Sequence, residues 1–213
     1  MLEFLKKLKF PEEHGVTHAL AVYEKSLTIY RNSPEIPSEM HLDWVRKAAL
    51  LHDIGLAYPW GFNNFRTLSN KEVRDQHHIL GAELLQLFSD AGDVFHLGTV
   101  DEWREVQHAV REHRASGGVP MTRMAQLVSD ADRVSCGSAA DMYTRIWRTV
   151  RANECPYGEV EEVHALVMKH VRHKYSKGGY GTRIYFSHTK DLLTAIVEPI
   201  LTGQINYHTL LVA

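Results

Sequence analysis

The chain has 213 residues, 44% of them hydrophobic, which is enough to fill one ordinary hydrophobic core. Its formal net charge of -2 shows no basic excess, so we expect neither an extended nucleic-acid surface nor an anionic-membrane surface. No run of about 18 apolar residues occurs and the first ten residues lack a signal-peptide pattern, so the sequence predicts a cytoplasmic protein that does not enter the membrane.

Helical periodicity extends through most of the chain, and no alternating strand pattern precedes residue 183. We therefore predict an all-α fold, a single-domain helical bundle over residues 1–213. A first helix is expected near 15–31 and a second near 39–53, with Ser38 as its N-cap and Gly55 and Pro59 ending it. The next stretch, YPWGFNNFRTLSN, reads as an aromatic loop that could form one wall of a pocket.

The second half of the chain continues the helical pattern. Thr99 and Glu102 form a capping-box pattern at the start of one helix. The segment KYSKGGYGTRIYF is expected to be a loop, which could contain a short hairpin. The predicted helices lie near residues 77–89, 99–116, 120–136, 138–152, 158–175 and 187–202.

Imidazoles and carboxylates lie at the ends of several apolar helix stripes. At 3.6 residues per turn, His52 follows Val45 and Ala49 on one face, and Asp53 comes directly after it in AALLHDIG. A helix C-terminus disfavours a carboxylate, so Asp53 needs a positive partner. Three later helices carry a similar group on their stripes, namely His77, His113 and Asp132.

Groups that converge from several helices are typical of a bundle core that closes around a metal ion. Each histidine taken alone is more often a hydrogen-bonded core residue, and Asp132 alone could pair with a surface cation. Asp130 falls on a mixed face, whereas Asp132 shares a face with Met124 and Val128. The joint occurrence favours a metal site, and Cys136 and Cys155 form no CxxC pair that would suggest thiolate ligands or a disulfide framework.

These motifs resemble the HD superfamily of metal-dependent phosphohydrolases, which is named for its His-Asp doublet. AALLHDIG is similar to the doublet motif, and HGVTHALAV resembles the first-histidine motif, with His14 one turn before His18. The resemblance covers residues 14–136, and the helices of 137–213 have no assigned role. Three further segments resemble motifs of the family: HHILGAELL, in which the matching histidine is His77 rather than His78, AVREHR with His113, and LVSDADRV with Asp132. Family members often have a second histidine where this chain has Arg114.

The resemblance implies a first metal shell of His18, His52, Asp53 and Asp132. Imidazole and carboxylate ligands suit Mn²⁺, Fe²⁺, Co²⁺, Ni²⁺ or Mg²⁺. His77 and His113 are expected either to bind a second ion or to contact the phosphate of the substrate. In the second case His77 would donate a proton to the leaving oxygen. One or two ions per chain are therefore expected, and Asp53, His77 and His113 are the residues that we expect to take part in catalysis.

Four residues near the last loop are candidates for substrate binding. Cations on a glycine-rich backbone could clamp phosphates while a tyrosine ring stacks on a base. A solvated loop between helices is the alternative reading. The four residues are Lys174, Lys177, Tyr180 and Arg183, with Tyr175 nearby.

The expected activity is metal-dependent hydrolysis of phosphate ester or phosphoanhydride bonds in a small phosphorylated substrate, foremost a nucleotide. The alternatives are an HD-type di-iron oxygenase, which uses the same ligand order, and a ligand-binding module without turnover. A homo-oligomer is left open, because the amphipathic LEFLKKLKF and the apolar tail LLVA could pack against a neighbouring chain.

Overall fold

A computed structural model of the chain describes residues 1–8, 10, 14–57, 70–90, 98–114, 119–176, 179 and 183–211. All regular secondary structure in these residues is helical, which confirms the predicted all-α fold. Two compact units are distinguished, Met1–Asp132 and Arg133–Ala213. The expectation of a single domain over residues 1–213 stays a prediction. Most of the expected aromatic loop, residues 58–69, lies outside the described residues.

The first unit is built from helices that pack in neighbouring pairs. Helix α2 packs on α3, α3 on α5, and α4 on both α5 and the 3-10 helix. Buried valines and alanines such as Val22, Val45, Ala49 and Val110 fill the space between them. The elements are α1 (Leu2–Leu5), α2 (Val16–Asn32), α3 (Leu42–Leu51), a 3-10 helix (Ile54–Ala57), α4 (Asn70–Asp90), α5 (Val100–Glu112) and α6 (Arg123–Arg133).

The second unit contains α7 (Ala139–Asn153), α8 (Val160–Tyr175), α9 (Ser187–Leu201) and α10 (Tyr207–Leu211). The three longer helices pack against one another in pairs, and Tyr143, Phe186 and Ile200 are buried in this unit. Helix α7 begins where the Ser138 hydroxyl accepts a hydrogen bond from the amide of Asp141, at 3.1 Å.

Helix α4 begins at Asn70, well before the predicted start near residue 77, whereas the other predicted helices begin close to the expected positions. The two predicted N-caps have different outcomes. Thr99 caps α5 as predicted, since its hydroxyl accepts from the Glu102 amide at 3.1 Å. The Glu102 carboxylate instead binds Lys47 of α3, so this half of the expected capping box is used for a contact between helices. The prediction of Ser38 as N-cap was wrong, because α3 begins after His41 and the Ser38 hydroxyl donates to Glu39.

The N-terminal segment packs partly within the chain. The ring of Phe4 meets that of Phe88 edge-on at 5.9 Å, and Leu5 is 1% exposed. Phe10 packs against the small apolar cluster of Leu56, Val73 and Leu80. Much of the apolar face in LEFLKKLKF is therefore covered by this chain itself, and a homo-oligomer stays a prediction.

Among the described residues, no helix combines the length and the apolar character needed to cross a membrane.

Two glycines allow α4 to approach the segment that follows α3. A Cβ atom at Gly55 would collide with the carbonyl oxygen of His77 and would lie 2.6 Å from the backbone nitrogen of Gly81. A Cβ at Gly81 would lie 3.0 Å from Val110 and 3.2 Å from the Gly55 nitrogen. The absence of side chains at this crossing therefore brings the backbone beside His77 into contact with the segment that follows Asp53.

Gly55→Ala should lower the free energy of unfolding by about 1–3 kcal/mol, the usual cost of overpacking, because backbone atoms cannot yield as a side chain can. Urea denaturation of the metal-free protein measures this change. The control is Gly15→Ala, where a Cβ meets nothing within 4 Å and only the N-cap preference of α2 is affected. Equal effects of the two substitutions would contradict the importance of the crossing.

Candidate metal centre

The Asp53 carboxylate lies at the centre of the site, buried just beyond the C-terminus of α3. Its Oδ2 atom faces three imidazoles: His14 Nδ1 at 2.8 Å, His52 Nε2 at 3.2 Å and His18 Nε2 at 3.4 Å. His14 precedes α2 and His18 lies in its first turn, so a single chain segment supplies two of the three.

The other carboxylate oxygen faces a different pair of helices. Asp53 Oδ1 lies 3.2 Å from His77 Nε2 of α4 and 3.6 Å from His113 Nε2, directly after α5. The two oxygens of a single side chain thus separate the imidazoles into two groups, which we call the Oδ2 group and the Oδ1 group.

Asp132, near the end of α6, completes the Oδ2 group. Its Oδ1 atom lies 3.2 Å from His18 Nε2 and 3.9 Å from His52 Nε2. Potential ligand atoms of His18, His52 and Asp132 all lie within 4.8 Å of one another, as do those of His52, Asp53 and His113. Distances of this size between donor atoms are compatible with their binding a shared ion.

Backbone carbonyls fix the tautomer of three of these rings. His52, His77 and His113 each place Nδ1 within hydrogen-bond distance of the carbonyl three residues earlier. A carbonyl only accepts, so Nδ1 carries the proton and Nε2 of the neutral ring keeps its lone pair. This arrangement is typical of metal-binding histidines. The acceptors are Ala49, Arg74 and Val110, at 2.7, 2.7 and 2.8 Å.

The distance between His77 and His113 tests whether a cation fits here. Their Nε2 atoms are 3.1 Å apart, although both Nδ1 protons are donated to carbonyls. Two neutral rings would therefore direct lone pairs at each other, which is unfavourable unless a proton or a cation lies between them. The Nε2 atoms of His52 and His18 are similarly close, at 3.2 Å. A buried set of imidazoles and carboxylates with these contacts fits a divalent metal ion.

The carboxylates at the centre remain ionised despite burial. Burial raises the pKa of Asp53, but the electrostatic interaction with His52 and the hydrogen bonds with neighbouring imidazoles lower it well below its usual range. Burial also raises the pKa of Asp132, and the hydrogen bond with His18 outweighs it and lowers that pKa. In the same network, burial lowers the pKa of His18 while the hydrogen bonds to Asp132 and Asp53 raise it to about 9.

The structure brings together six residues that the sequence predicts as ligands: His18, His52, Asp53, His77, His113 and Asp132. Asp130, the alternative to Asp132, is fully buried. His78 is half-buried, and its Nδ1 has no hydrogen-bond partner among the described residues. Burial, followed by the electrostatic interaction with His113 and His77, lowers the pKa of His78 to about 4. The close contact of His14 with Asp53 was not predicted, although its position one turn before His18 could have indicated it.

The residues expected to clamp phosphates belong to the second unit. Lys174 lies in the last turn of α8 rather than in a loop, with Nζ 5.1 Å from the centre of the Tyr175 ring. Arg183 is exposed, and Lys177 and Tyr180 lie outside the described residues. The described residues 183–185 form no strand, and the phosphate clamp stays a prediction.

Comparisons with known proteins return two matches. The family model described as HD domain matches residues 15–136, more than half of the chain and close to the predicted motif region. Ribonuclease Y of Lawsonia intracellularis (strain PHE/MN1-00) is 33% identical over 90 residues, which are 42% of this chain and 13% of that protein. The match therefore spans only a small part of that relative's length. No solved structure matches the chain.

Mutation of a residue that supports a metal ligand typically weakens metal binding by roughly 10–100-fold. Asp132→Asn should weaken divalent metal binding by more than this, because it removes an ionised ligand beside His18. Isothermal titration with Mn²⁺ measures the loss. Asp130→Asn is the matched comparison, and we expect it to lower the free energy of unfolding instead, because this carboxylate is fully buried. If Asp130→Asn were the variant that lost the metal, the assignment of Asp132 would be wrong.

Proposed function

The chain belongs to the HD domain family, and on that premise we propose that it is a metal-dependent phosphohydrolase acting on a small phosphorylated substrate, foremost a nucleotide. The observation that carries the proposal is the division of ligands around Asp53. One carboxylate oxygen faces the Oδ2 group and the other faces the Oδ1 group. A carboxylate shared between two sets of imidazoles is suited to bridging two divalent ions.

Each group would hold one ion. His18, His52, Asp132 and Asp53 Oδ2 would bind the first, and His77, His113 and Asp53 Oδ1 would bind the second. Imidazole and carboxylate ligands without thiolate suit Mn²⁺, Fe²⁺, Co²⁺, Ni²⁺ or Mg²⁺. When bound, such ions lower the pKa of water, polarise a phosphoryl oxygen and neutralise developing negative charge.

The protein's own residues hold the ligand atoms in place. Carbonyls three residues earlier keep the rings of His52, His77 and His113 turned so that each Nε2 points inward. His14 lies 2.8 Å from Asp53 Oδ2 and so restricts rotation of the carboxylate that both groups share. Burial of His52 and Asp53 excludes water from the side of the site that faces the core.

The geometry supports a ligand role for His77 over a proton-donor role. Its Nδ1 proton is bound to the Arg74 carbonyl, and its Nε2 lies 3.2 Å from Asp53 Oδ1 and 3.1 Å from His113 Nε2. A general acid needs a proton directed toward the substrate. Here both ring nitrogens already face protein atoms, so another group or water would protonate the leaving oxygen.

The name of the matched relative bears on the bond that is cleaved. A ribonuclease cleaves phosphodiester bonds of RNA, so a phosphodiester belongs within the proposed substrate class. The formal net charge of -2 does not favour a broad surface for long nucleic acids. Mononucleotides, cyclic nucleotides and short oligonucleotides are therefore the substrates to test first.

The metal-free protein should take up two Mn²⁺ ions per chain, and His77→Ala/His113→Ala should take up one. The double variant removes both imidazoles of the Oδ1 group and leaves His18, His52 and Asp132 intact. Elemental analysis after dialysis gives the ratio of metal to protein. His108→Ala, which removes a histidine of α5 outside this cluster, should keep two ions. One ion in both the native protein and the double variant would defeat the two-metal form of the proposal.

A screen of metal ions against phosphorylated substrates should detect release of phosphate, pyrophosphate or nucleoside monophosphate. Asp53→Asn should abolish turnover, because it removes the charge that both groups face. His108→Ala should remain active and is the control for histidine loss on α5. Oxygen consumption by the iron-loaded protein without phosphate release would support the di-iron oxygenase instead. Ligand binding without turnover under every condition would support the inactive module.

A further inference from the structure

Arg114 follows His113 directly and binds the helix that carries His77. Its Nη1 donates to the backbone carbonyl of Asp75, and its Nη2 lies 3.2 Å from the Asp75 carboxylate. Both ends of the guanidinium fork are thus used on one residue of α4. Arginine has no lone pair for a metal ion, so this position can anchor the site but cannot add a ligand.

Asp75 occupies a position where it controls His77. It lies two residues before His77, and the carbonyl of its neighbour Arg74 is the acceptor for His77 Nδ1. The backbone held by Arg114 is therefore the same turn of α4 that orients the His77 ring. Arg114 is also the residue directly after His113 in the chain. The Nε2 atoms of His113 and His77 are 3.1 Å apart.

We propose that Arg114 is a positioning residue for the Oδ1 group: by clamping Asp75, it holds His77 and His113 at the separation that the second metal ion requires. The inference rests on the two-metal form of the proposed function. It adds a residue that touches neither an ion nor the substrate.

General stabilisation is a poor explanation for this contact. The side chains of Arg114 and Asp75 are 28% and 52% exposed, and exposed ion pairs contribute little to stability. A bidentate fork nevertheless restricts geometry, because it fixes both distance and angle between the two groups. The expected consequence of its loss is a displaced His77 ring rather than an unfolded protein.

Direct binding of substrate phosphate by Arg114 is the competing role. The guanidinium is engaged by the Asp75 carbonyl and carboxylate, so a phosphate would have to displace this contact. The two roles differ in what Asp75 does. If Arg114 positions His77, removing the Asp75 carboxylate weakens the second metal site. If Arg114 binds phosphate, removing that carboxylate leaves the metal site unaltered and frees the cation.

The test is a titration of the metal-free full chain with Mn²⁺. Calorimetry measures the affinity of each binding event, and the electron paramagnetic resonance signal of a coupled Mn²⁺ pair reports that both ions are bound. Arg114→Ala should weaken the second binding event by about 10-fold or more, as loss of an outer residue of a metal site does, and leave the first unchanged. Arg114→Lys keeps the charge without the fork and should recover only part of the affinity. Asp75→Ala should give a smaller loss, because the backbone acceptor remains.

Arg104→Ala is the matched control, since it removes an exposed arginine of α5 whose Nη1 lies 3.7 Å from the carboxylate of Asp101 in the same helix. Unchanged affinity for both ions in Arg114→Ala, with two ions in the native protein, would overturn this inference alone. An equal loss at both ions would mark a general structural role and would also overturn it. A single ion in the native protein would remove the two-metal proposal and this inference together. A raised KM with unchanged metal affinity would assign Arg114 to the substrate.

Discussion

A carboxylate buried among imidazoles is the constraint on which this structure depends. Asp53 follows the last turn of α3, where the helix dipole disfavours negative charge, and it is removed from water on the core side. Protonated imidazoles could offset its charge, but several positive rings in contact would repel one another. A divalent ion between ring lone pairs and carboxylate oxygens satisfies both types of group at once. Such an ion would therefore stabilise the buried residues that could bind it.

The surrounding helices are arranged so that ligand atoms, rather than bulky side chains, meet at this point. Glycines at positions 55 and 81 let the backbone near His77 touch the segment after Asp53. Carbonyls of the preceding turn fix the histidine rings without requiring any further side chain. Positioning of the site thus comes largely from the main chain, and helix spacing and ring tautomer are determined together.

Helix phase explains why much of the site could be predicted. His52 and His113 follow buried apolar residues at helical spacing, so local periodicity is enough to direct them inward. Periodicity does not separate Asp132 from Asp130, because Asp130 is completely buried as well; the contact of Asp132 with His18 does. Contacts that depend on the tertiary approach of two segments could not be found in this way. The spacing of residues along the chain does not predict that Arg114 binds Asp75. Nor does it predict that the Glu102 carboxylate binds Lys47 instead of completing the cap of its own helix.

The two ligand groups differ in charge, and this difference bears on how they would work. The Oδ2 group has the Asp132 carboxylate in addition to Asp53, whereas the Oδ1 group adds only the neutral rings of His77 and His113. The first ion would thus be neutralised more fully than the second. With two divalent ions and two carboxylates, the centre would keep a net positive charge, concentrated on the Oδ1 side. An anionic phosphate group would complete that charge balance, so substrate binding and retention of the second ion should reinforce each other.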